Sequence, residues 1–455
     1  MIAMSKQMEQ KEYLFSNRDL KKLIFPLLVE QLLAVTVGLT DSIMVASVGE
    51  SAVSAVSLVD NINILLIGLF SALATGGAVV AGQYIGHGDR KKACTAGEQM
   101  LVFVFAMALG IMALIYLGKF FILNIVFGQI SQEVHDYADT YLMIVMASIP
   151  FLALYNCGAA LFRVQGNSQI SMQTSLLMNS INIIGNAVMI FGLHCKVEGV
   201  AIPTLVSRVI AAFVIVILLR NQELEVHISK PFRYRFLPGM VKRILQIGVP
   251  NGVENSMFQL GKLVLLSLIS TFGTTAIAAN AVSNSVAAFE ILPGQAVGLA
   301  LVTVISQCVG AGDYQQVRYY TKKLMGYTYI AMIALNILIL FGLPIIMNVY
   351  HLSAETTKVT TQILLLHGVC AMVIWPLSFT FPNTLRAAND VKYTMIVSMV
   401  SMWFCRIILG FVLGKYMGFG VLGTWMAMIL DWCVRSVFFV IHYYRGKWME
   451  KKVVL

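Results

Sequence analysis

This chain is short of charge. Asp, Glu, Lys and Arg make up 12% of its 455 residues, about half the roughly 25% found in soluble domains. Hydrophobic residues make up 58%, and mean hydropathy is +0.80. So small a polar set cannot wet a surface, so lipid is the expected solvent and an all-α integral membrane protein the expected class. Paired cysteines are missing too. Positions 94, 157, 195, 308, 370, 405 and 433 show no CxxC spacing, which argues against a zinc or disulfide framework and for small buried hydrophobes. There is no P-loop, HExxH or GxSxG, and the seven histidines are far apart in sequence. Direct ATP hydrolysis, metalloprotease and serine-hydrolase chemistry are therefore not expected, nor a resident cofactor or metal. The polar stretches are too short to hold a receptor, kinase or nucleotide-binding module.

Long apolar runs are there instead. Segments near residues 20–46, 53–84, 93–118, 136–162, 168–194 and 199–220, then 241–272, 276–308, 320–349, 360–385, 391–414 and 419–443, each exceed the roughly 20 residues that cross a bilayer. Twelve is even, so both termini share one side. With the N-terminus cytoplasmic, 24 of the 32 Lys and Arg fall inside and four outside, namely Lys119, Lys196, Lys358 and Lys415. Arg208, Lys262, Arg406 and Arg435 remain within spans. This is the positive-inside bias, and it accounts for the net charge of +10 without a nucleic-acid partner. Met1 to Lys22 is polar and lacks the apolar core of a cleaved signal peptide. The expected organisation is an N-lobe over 1–220, a polar cytoplasmic linker over 221–240 with Pro231 and Pro238, and a C-lobe over 241–455 that ends in a basic tail.

The two lobes repeat. Shifted by 224 residues, Pro26-Leu-Leu-Val-Glu30 falls on Pro250-Asn-Gly-Val-Glu254 and Gly49 on Gly273. Gln83-Tyr-Ile-Gly86-His-Gly88-Asp89 falls on Gln307-Cys-Val-Gly310-Ala-Gly312-Asp313, and 64 ungapped positions hold 14 identities. Gly199 matches Gly423 at the same offset, and Arg163 matches Arg386 at one less. Six spans per lobe, an even number, gives the repeats the same orientation. In the Q-x-x-G-x-G-D stretch the glycines are expected to release the chain from its helix, and Asp89 to cap the next one.

An ionisable side chain at bilayer depth costs at least a few kcal/mol, so each needs a partner, a cavity or a function. The N-lobe offers Glu30, Asp41 and Asp60, with Asn179, Asn182 and Asn186 on span five and Thr204 and Arg208 on span six. Asn182 and Asn186 are four apart and share a helix face. Asp41 has no cation near it in sequence, and its repeat counterpart is Leu265, so symmetric packing does not require it. A desolvated carboxylate of this kind is a natural carrier of an exchangeable proton, or a sodium ligand. Glu30 and Glu254 instead keep one place, four residues after a proline, in both lobes; that suits helix-end capping or interlobe packing as well as a transport path. Lys262 on span seven and Glu290 on span eight either neutralise each other or line a polar path. Asp431 and Arg435, four apart, read as an intrahelical pair. Glu30, Asn179, Glu254, Lys262 and Glu290 are the candidates for a substrate cavity.

Two parallel six-helix lobes joined by a polar linker suggest a secondary transporter with its site between them. Pro26-Leu-Leu-Val-Glu-Gln31, Gly38-Leu-Thr-Asp41-Ser-Ile-Met-Val45, Gly49-Glu-Ser-Ala-Val-Ser-Ala55, Gln83 to Asp89, Gly199-Val-Ala-Ile-Pro-Thr204 and Asp431-Trp-Cys-Val-Arg435 occur in order. As a set, over essentially the whole chain, they resemble the multidrug and toxic compound extrusion (MATE) family, its DinF-like branch in particular. The resemblance implies a V-shaped pair of bundles in the bacterial cytoplasmic membrane, both termini inside, acting as a monomer. It implies export of small amphiphilic or cationic organic compounds by alternating access, in exchange for H+ or Na+. That branch's ion site, carried over, falls on Asp41, Asn182, Asn186 and Thr204. The branch often has a second carboxylate where Asn186 stands, so proton coupling through Asp41 is the simpler implication and Na+ at the same site the alternative. A flippase for lipids or lipid-linked oligosaccharides has related architecture. It would normally show more spans and a strongly cationic central cavity.

Overall fold

The computed structural model describes residues 13–451 apart from Gln129 and Arg233; the signal-peptide reading of the first twelve residues and the cations Lys6, Lys11 and Lys452 lie outside them. Every regular element among the described residues is helical. The passes are α1 (Asn17–Ala46), α2 (Glu50–Gly86), α3 (Arg90–Leu117), α4 (Gln132–Val164), α5 (Ser168–Gly192) and α6 (Glu198–Leu218). They continue as α7 (Pro238–Ser270), α8 (Thr274–Glu290, then Leu292–Gly310), α9 (Tyr314–Tyr350), α10 (Ala354–Val373, then Pro376–Ala387), α11 (Val391–Tyr416) and α12 (Gly420–Arg445). Ten helices among the described residues are long and apolar enough to cross a membrane, and α10 makes an eleventh as a pair bent by 59°. The twelfth pass, α7, has 33 residues, but Lys242, Arg243, Glu254 and Lys262 are spread along it and it does not meet that measure.

Side chains set the helix ends. Ser16 and Asp19 form a reciprocal capping box at the start of α1, satisfying backbone donors that lack a partner within the helix. Asp89 accepts the Lys92 amide at 3.0 Å, and Asp313 accepts the Gln316 amide at 3.1 Å. The Lys92 amide holds the half-buried Asp89 carboxyl below the usual carboxylate range. Gly49 (φ +132°) and Gly273 (φ +93°) stand just before α2 and α8, in backbone conformations that favour glycine.

The Q-x-x-G-x-G-D stretches do more than end helices. Gly88 (φ +82°) and Gly312 (φ +70°) make the exits, as the sequence suggests. Gly86 and Gly310 let α2 and α8 cross. A Cβ on Gly86 would lie 1.9 Å from the Gln307 carbonyl oxygen, and one on Gly310 would lie 1.9 Å from that of Gln83. The repeated motif therefore packs against its own copy. Around this crossing Gln307 donates to the Val164 carbonyl at 2.6 Å, Gln83 to that of Ala387 at 3.0 Å, and Thr303 to that of Arg163 at 3.2 Å. Tyr320 donates to the Phe15 carbonyl at 2.7 Å. These bonds gather at the end of the bundle where α1 begins and α12 ends. Asn255 to the Gly68 carbonyl, at 3.4 Å near mid-helix, is the outermost bond between the halves among the described residues. The linker lies across the start of α3, where Arg90 donates to the carbonyls of Gln222 and Leu224.

The second half is the more broken. The expected span 276–308 divides at Ile291, because Pro293 opens the second segment; its counterpart α2 is continuous. α11 contains π-turns at Met402–Ile408 and Val412–Tyr416, whereas α5 has only Val188–Gly192. α5 and α11 begin 223 residues apart, and their terminal π-turns begin 224 apart. The single extra residue thus sits in the Met402–Ile408 turn, the usual way a helix absorbs an insertion.

Candidate ion and substrate sites

A cavity of about 520 Å3 opens among α1, α2, α4, α5 and α6. Its polar lining includes Asp41, Asp60, Asn63, Asn182, Thr204 and Arg208. Asn186 donates its Nδ2 to Asp41 Oδ1 at 2.8 Å and lies 3.4 Å from Asn182 Oδ1; Asn182 donates to Thr204 Oγ1 at 3.0 Å. One helical turn sets Asn182 and Asn186 on one face of α5, between α1 and α6. Asn186 is fully buried, and its Oδ1 has no hydrogen-bond donor.

The remaining charges divide unevenly. Arg163 Nη1 is 2.9 Å from Glu30 Oε1, and Ser171 donates to Glu30 Oε2 at 2.8 Å. Glu30 is therefore neutralised in the cavity wall. Tyr141 donates to Asp60 at 3.3 Å. Arg208 is the cation facing both Asp60 and Asp41, but its Nη1 donates to Ser148 at 2.7 Å and lies 3.5 Å from Asn63 Oδ1. One guanidinium thus serves two carboxylates, and Asp41 is held by an amide alone.

The glutamate–arginine pair recurs. Arg386 Nη2 is 2.7 Å from Glu254 Oε1, the same contact in the other half, made by the residues that match Glu30 and Arg163. Sequence alone counts Arg163 and Arg386 as cytoplasmic-face cations. Their side chains instead turn into the bundle and are only 16% and 11% exposed.

The other candidates separate. Glu30 and Asn179 line the cavity, whereas Glu254, Lys262 and Glu290 do not. The expected Lys262–Glu290 pair does not form. Glu290 is fully buried against His367 of α10, and Lys262 stands over the Phe258 ring. No spacing in the sequence joins Glu290 to His367, 77 residues on. Asp431 and Arg435 approach to 4.0 Å, but Asp431 takes the Ser401 hydroxyl at 2.5 Å and Arg435 also faces Glu254 at 3.5 Å. Sequence reading misses Tyr141 and Asn63 of the cavity lining, and Ser148, which accepts from Arg208. Asn63 carried one signal, three residues after Asp60 on the same face.

Two helical halves joined at one end, with a polar cavity at membrane depth, define the class of secondary membrane transporters. Known proteins give that class a family. The chain matches the family model described as MatE over residues 26–188 and again over 250–412. It is 24% identical to the uncharacterized transporter YisQ of Bacillus subtilis, over 97% of this chain and 99% of that one. It is also 24% identical to the probable multidrug resistance protein NorM of Thermotoga maritima, over 96% and 94%. Among solved structures, a MOP superfamily transporter from Pyrococcus furiosus described by a binding pocket of reverse polarity matches with a TM-score of 0.85 at 18% identity, covering 95% of this chain and 96% of that one. An outward-facing multidrug resistance MATE transporter matches with a TM-score of 0.83 at 17% identity, covering 95% and 96%. This chain belongs to the MatE family. It is a multi-pass membrane transporter, not an enzyme.

Proposed function

We propose that the chain exports amphiphilic organic compounds in exchange for protons, with Asp41 as the exchanging group. The observation that carries this is the Asp41–Asn186 contact. Asp41 is the cavity carboxylate without a cation of its own, and beside it the Asn186 Oδ1 is buried without a donor. A buried acceptor left unpaired costs about 1–3 kcal/mol. A proton on Asp41 supplies the missing donor once the Asn186 amide turns over, and removes the uncompensated charge. Both changes favour a closer approach of α1 to α5. The groups facing Asp41 in this step are Asp60, Arg208, Tyr141 and Asn186.

The ion drives transport only if it binds one conformation better than the other. With the termini cytoplasmic, the lobes are joined on the cytoplasmic side, and the cavity is reached from outside. A proton taken there neutralises Asp41, repacks α1 on α5 and weakens the hold on substrate. Sodium is the second ion to weigh, since Asp41, Asn182 and Thr204 supply oxygen ligands. A single carboxylate, and an Asn186 amide that donates into the site, favour the proton. Relatives named as multidrug resistance proteins support an amphiphilic substrate. The bacterial cytoplasmic membrane and a monomeric transporter complete the proposal.

The test is substrate movement in proteoliposomes under an imposed proton gradient or an imposed sodium gradient, with Asp41→Asn in parallel. Proton-driven movement abolished by the substitution is expected. Movement that persists at the parent rate in Asp41→Asn would remove Asp41 from the mechanism. Lipid scrambling without movement of any amphiphile would favour a flippase instead.

A further inference from the structure

The second half holds more positive charge at membrane depth than proton exchange uses. Arg406 of α11 is 8% exposed. Its guanidinium carbon lies 4.7 Å from the Phe258 ring centroid, yet it forms no hydrogen bond or ion pair with any described residue, and its Nε is buried without an acceptor. Arg435 of α12 is 1% exposed; its Nε and Nη1 likewise have no hydrogen-bond acceptor. Lys262 of α7 is exposed, faces Arg406, and holds its ammonium 5.5 Å from the centroid of the same Phe258 ring. Phe379 stands edge-on to Phe258 at 5.9 Å and carries Arg435 at 4.4 Å on its ring.

Acids reach Arg435 only at long range and form no ion pair with Arg406 or Lys262 among the described residues. A ring face offsets only part of the cost of desolvating a guanidinium. Arg435 shares Glu254 with Arg386, at 3.5 and 2.7 Å, and shares Asp431 with the Ser401 hydroxyl, at 4.0 and 2.5 Å; Asp431 also faces Arg406 but forms no ion pair with it. Counting Arg386, four cations meet two carboxylates. Arg406 also sits inside the π-turn that holds the extra residue of the second half, and single-turn π-bulges occur frequently at functional sites. At the 224-residue offset its counterpart is Asn182 of the first-half polar cluster.

We propose that Arg406, Lys262 and Arg435 receive the anionic head of an amphiphile, a carboxylate, sulfonate or phosphate, while the Phe258 and Phe379 rings take the adjoining apolar part. The guanidinium fork of Arg406 matches such a head in two-point geometry, and Lys262 meets it from the exposed side. The proposal rests on the exporter reading and narrows its substrates to anionic or zwitterionic amphiphiles, unlike the cationic compounds that the family resemblance implies.

Two fluorescent probes with the same dansyl-alkyl body, one ending in sulfonate and one in trimethylammonium, test this by polarisation on the purified chain in a neutral detergent. The sulfonate should bind about tenfold tighter, and Arg406→Gln and Lys262→Gln should each weaken it by about tenfold, the scale of a charge-assisted contact, leaving the ammonium probe unchanged. Arg406→Lys should recover part of the loss. Lys262 is exposed, so its variant tests the site even where an Arg406 variant fails to fold. Displacement by phosphatidylglycerol vesicles, but not phosphatidylcholine, would assign the site to a lipid headgroup; displacement by soluble alkyl sulfonate alone would assign it to a free amphiphile. Either result supports an anion site. Equal affinity for the two probes, binding of neither, or indifference to both substitutions overturns it. Binding is read without a gradient. Intact sulfonate binding beside undiminished transport by Asp41→Asn would therefore sink the coupling reading and leave the anion site standing.

Discussion

The two halves begin from one plan and differ where they carry charge. Both hold a glutamate four residues after a proline and pin it with an arginine from the end of the fourth helix of its half, Glu30 with Arg163 and Glu254 with Arg386. Both cross the other half through a glycine packed on a carbonyl. At the candidate ion site they part. Asp41 and Asn186 of the first half correspond to Leu265 and Gly410 of the second, where a leucine methyl lies 3.0 Å from the position of a glycine Cβ. A polar contact in one half is an apolar contact in the other. Asn182 corresponds to Arg406, and Arg208 to Trp432. The first half thus presents carboxylates around a cavity, and the second presents cations among aromatic rings. What both halves keep is structural; what only one keeps is where the distinct chemistry lies.

The sharpest break of this comparison is Asp41→Asn against Leu265→Asn. The first should reduce proton-driven efflux to background in proteoliposomes while the purified protein stays monodisperse. The second should leave coupling intact and lower stability only, by the cost of an amide placed in an apolar contact, about 1–3 kcal/mol. Next come the shared ion pairs. Arg163→Ala strands the buried Glu30 carboxylate, which costs about 3–5 kcal/mol, whereas Arg386→Ala leaves Glu254 its longer contact to Arg435 at 3.5 Å and should cost less. Both should melt below the parent in a thermal-unfolding assay, Arg163→Ala by more than Arg386→Ala. Pairing each with Glu→Gln at its partner should restore much of the loss. A loss in one half alone would break the structural symmetry.

The glycine crossing predicts a smaller effect, symmetric between the halves. Gly86→Ala and Gly310→Ala each place a methyl 1.9 Å from a carbonyl oxygen, and overpacking of that kind costs about 1–3 kcal/mol. Because the contact joins the halves at the end where α1 begins and α12 ends, the loss should appear as easier opening there. Cysteine pairs set across that end should cross-link less. Thr204→Ala is the mildest change. It removes one hydrogen bond to Asn182, worth about 1 kcal/mol, and should weaken coupling-ion affinity about fivefold without abolishing transport.

Much of the architecture was legible in the sequence. The apolar runs are long, and an ungapped repeat keeps Pro, Glu, Gly and Asp in register over 64 positions. The breaks were not legible. A proline such as Pro293 ends a helix segment, but hydropathy averaged over a span conceals it, and Pro26, Pro150 and Pro203 sit within continuous helices. The π-turn at Met402–Ile408 left one trace, the change of offset by one residue between Arg386 and Gly423. Of the candidate site, the four-residue spacing of Asn182 and Asn186 was visible, but their meeting with Asp41 spans 145 residues, and the family resemblance supplied it. Arg163 was misassigned because cations near a helix end look alike in sequence; only its repetition as Arg386 hinted that it had a fixed partner. Lys262 and Glu290 fail as a pair because rotation about a helix axis, not sequence proximity, decides what a side chain meets. His367 lies closer.

The claim that substrate and proton exchange through Asp41 is tested most directly by binding as a function of pH. Affinity for a transported amphiphile whose own charge is constant should be measured from mildly alkaline to acid pH in the parent and in Asp41→Asn. Coupling between two ligands is reciprocal, so if a proton on Asp41 releases substrate, affinity must fall on acidification in the parent. It must stay flat in the variant. A fall of the same size in Asp41→Asn would contradict the account and place the exchanging group elsewhere.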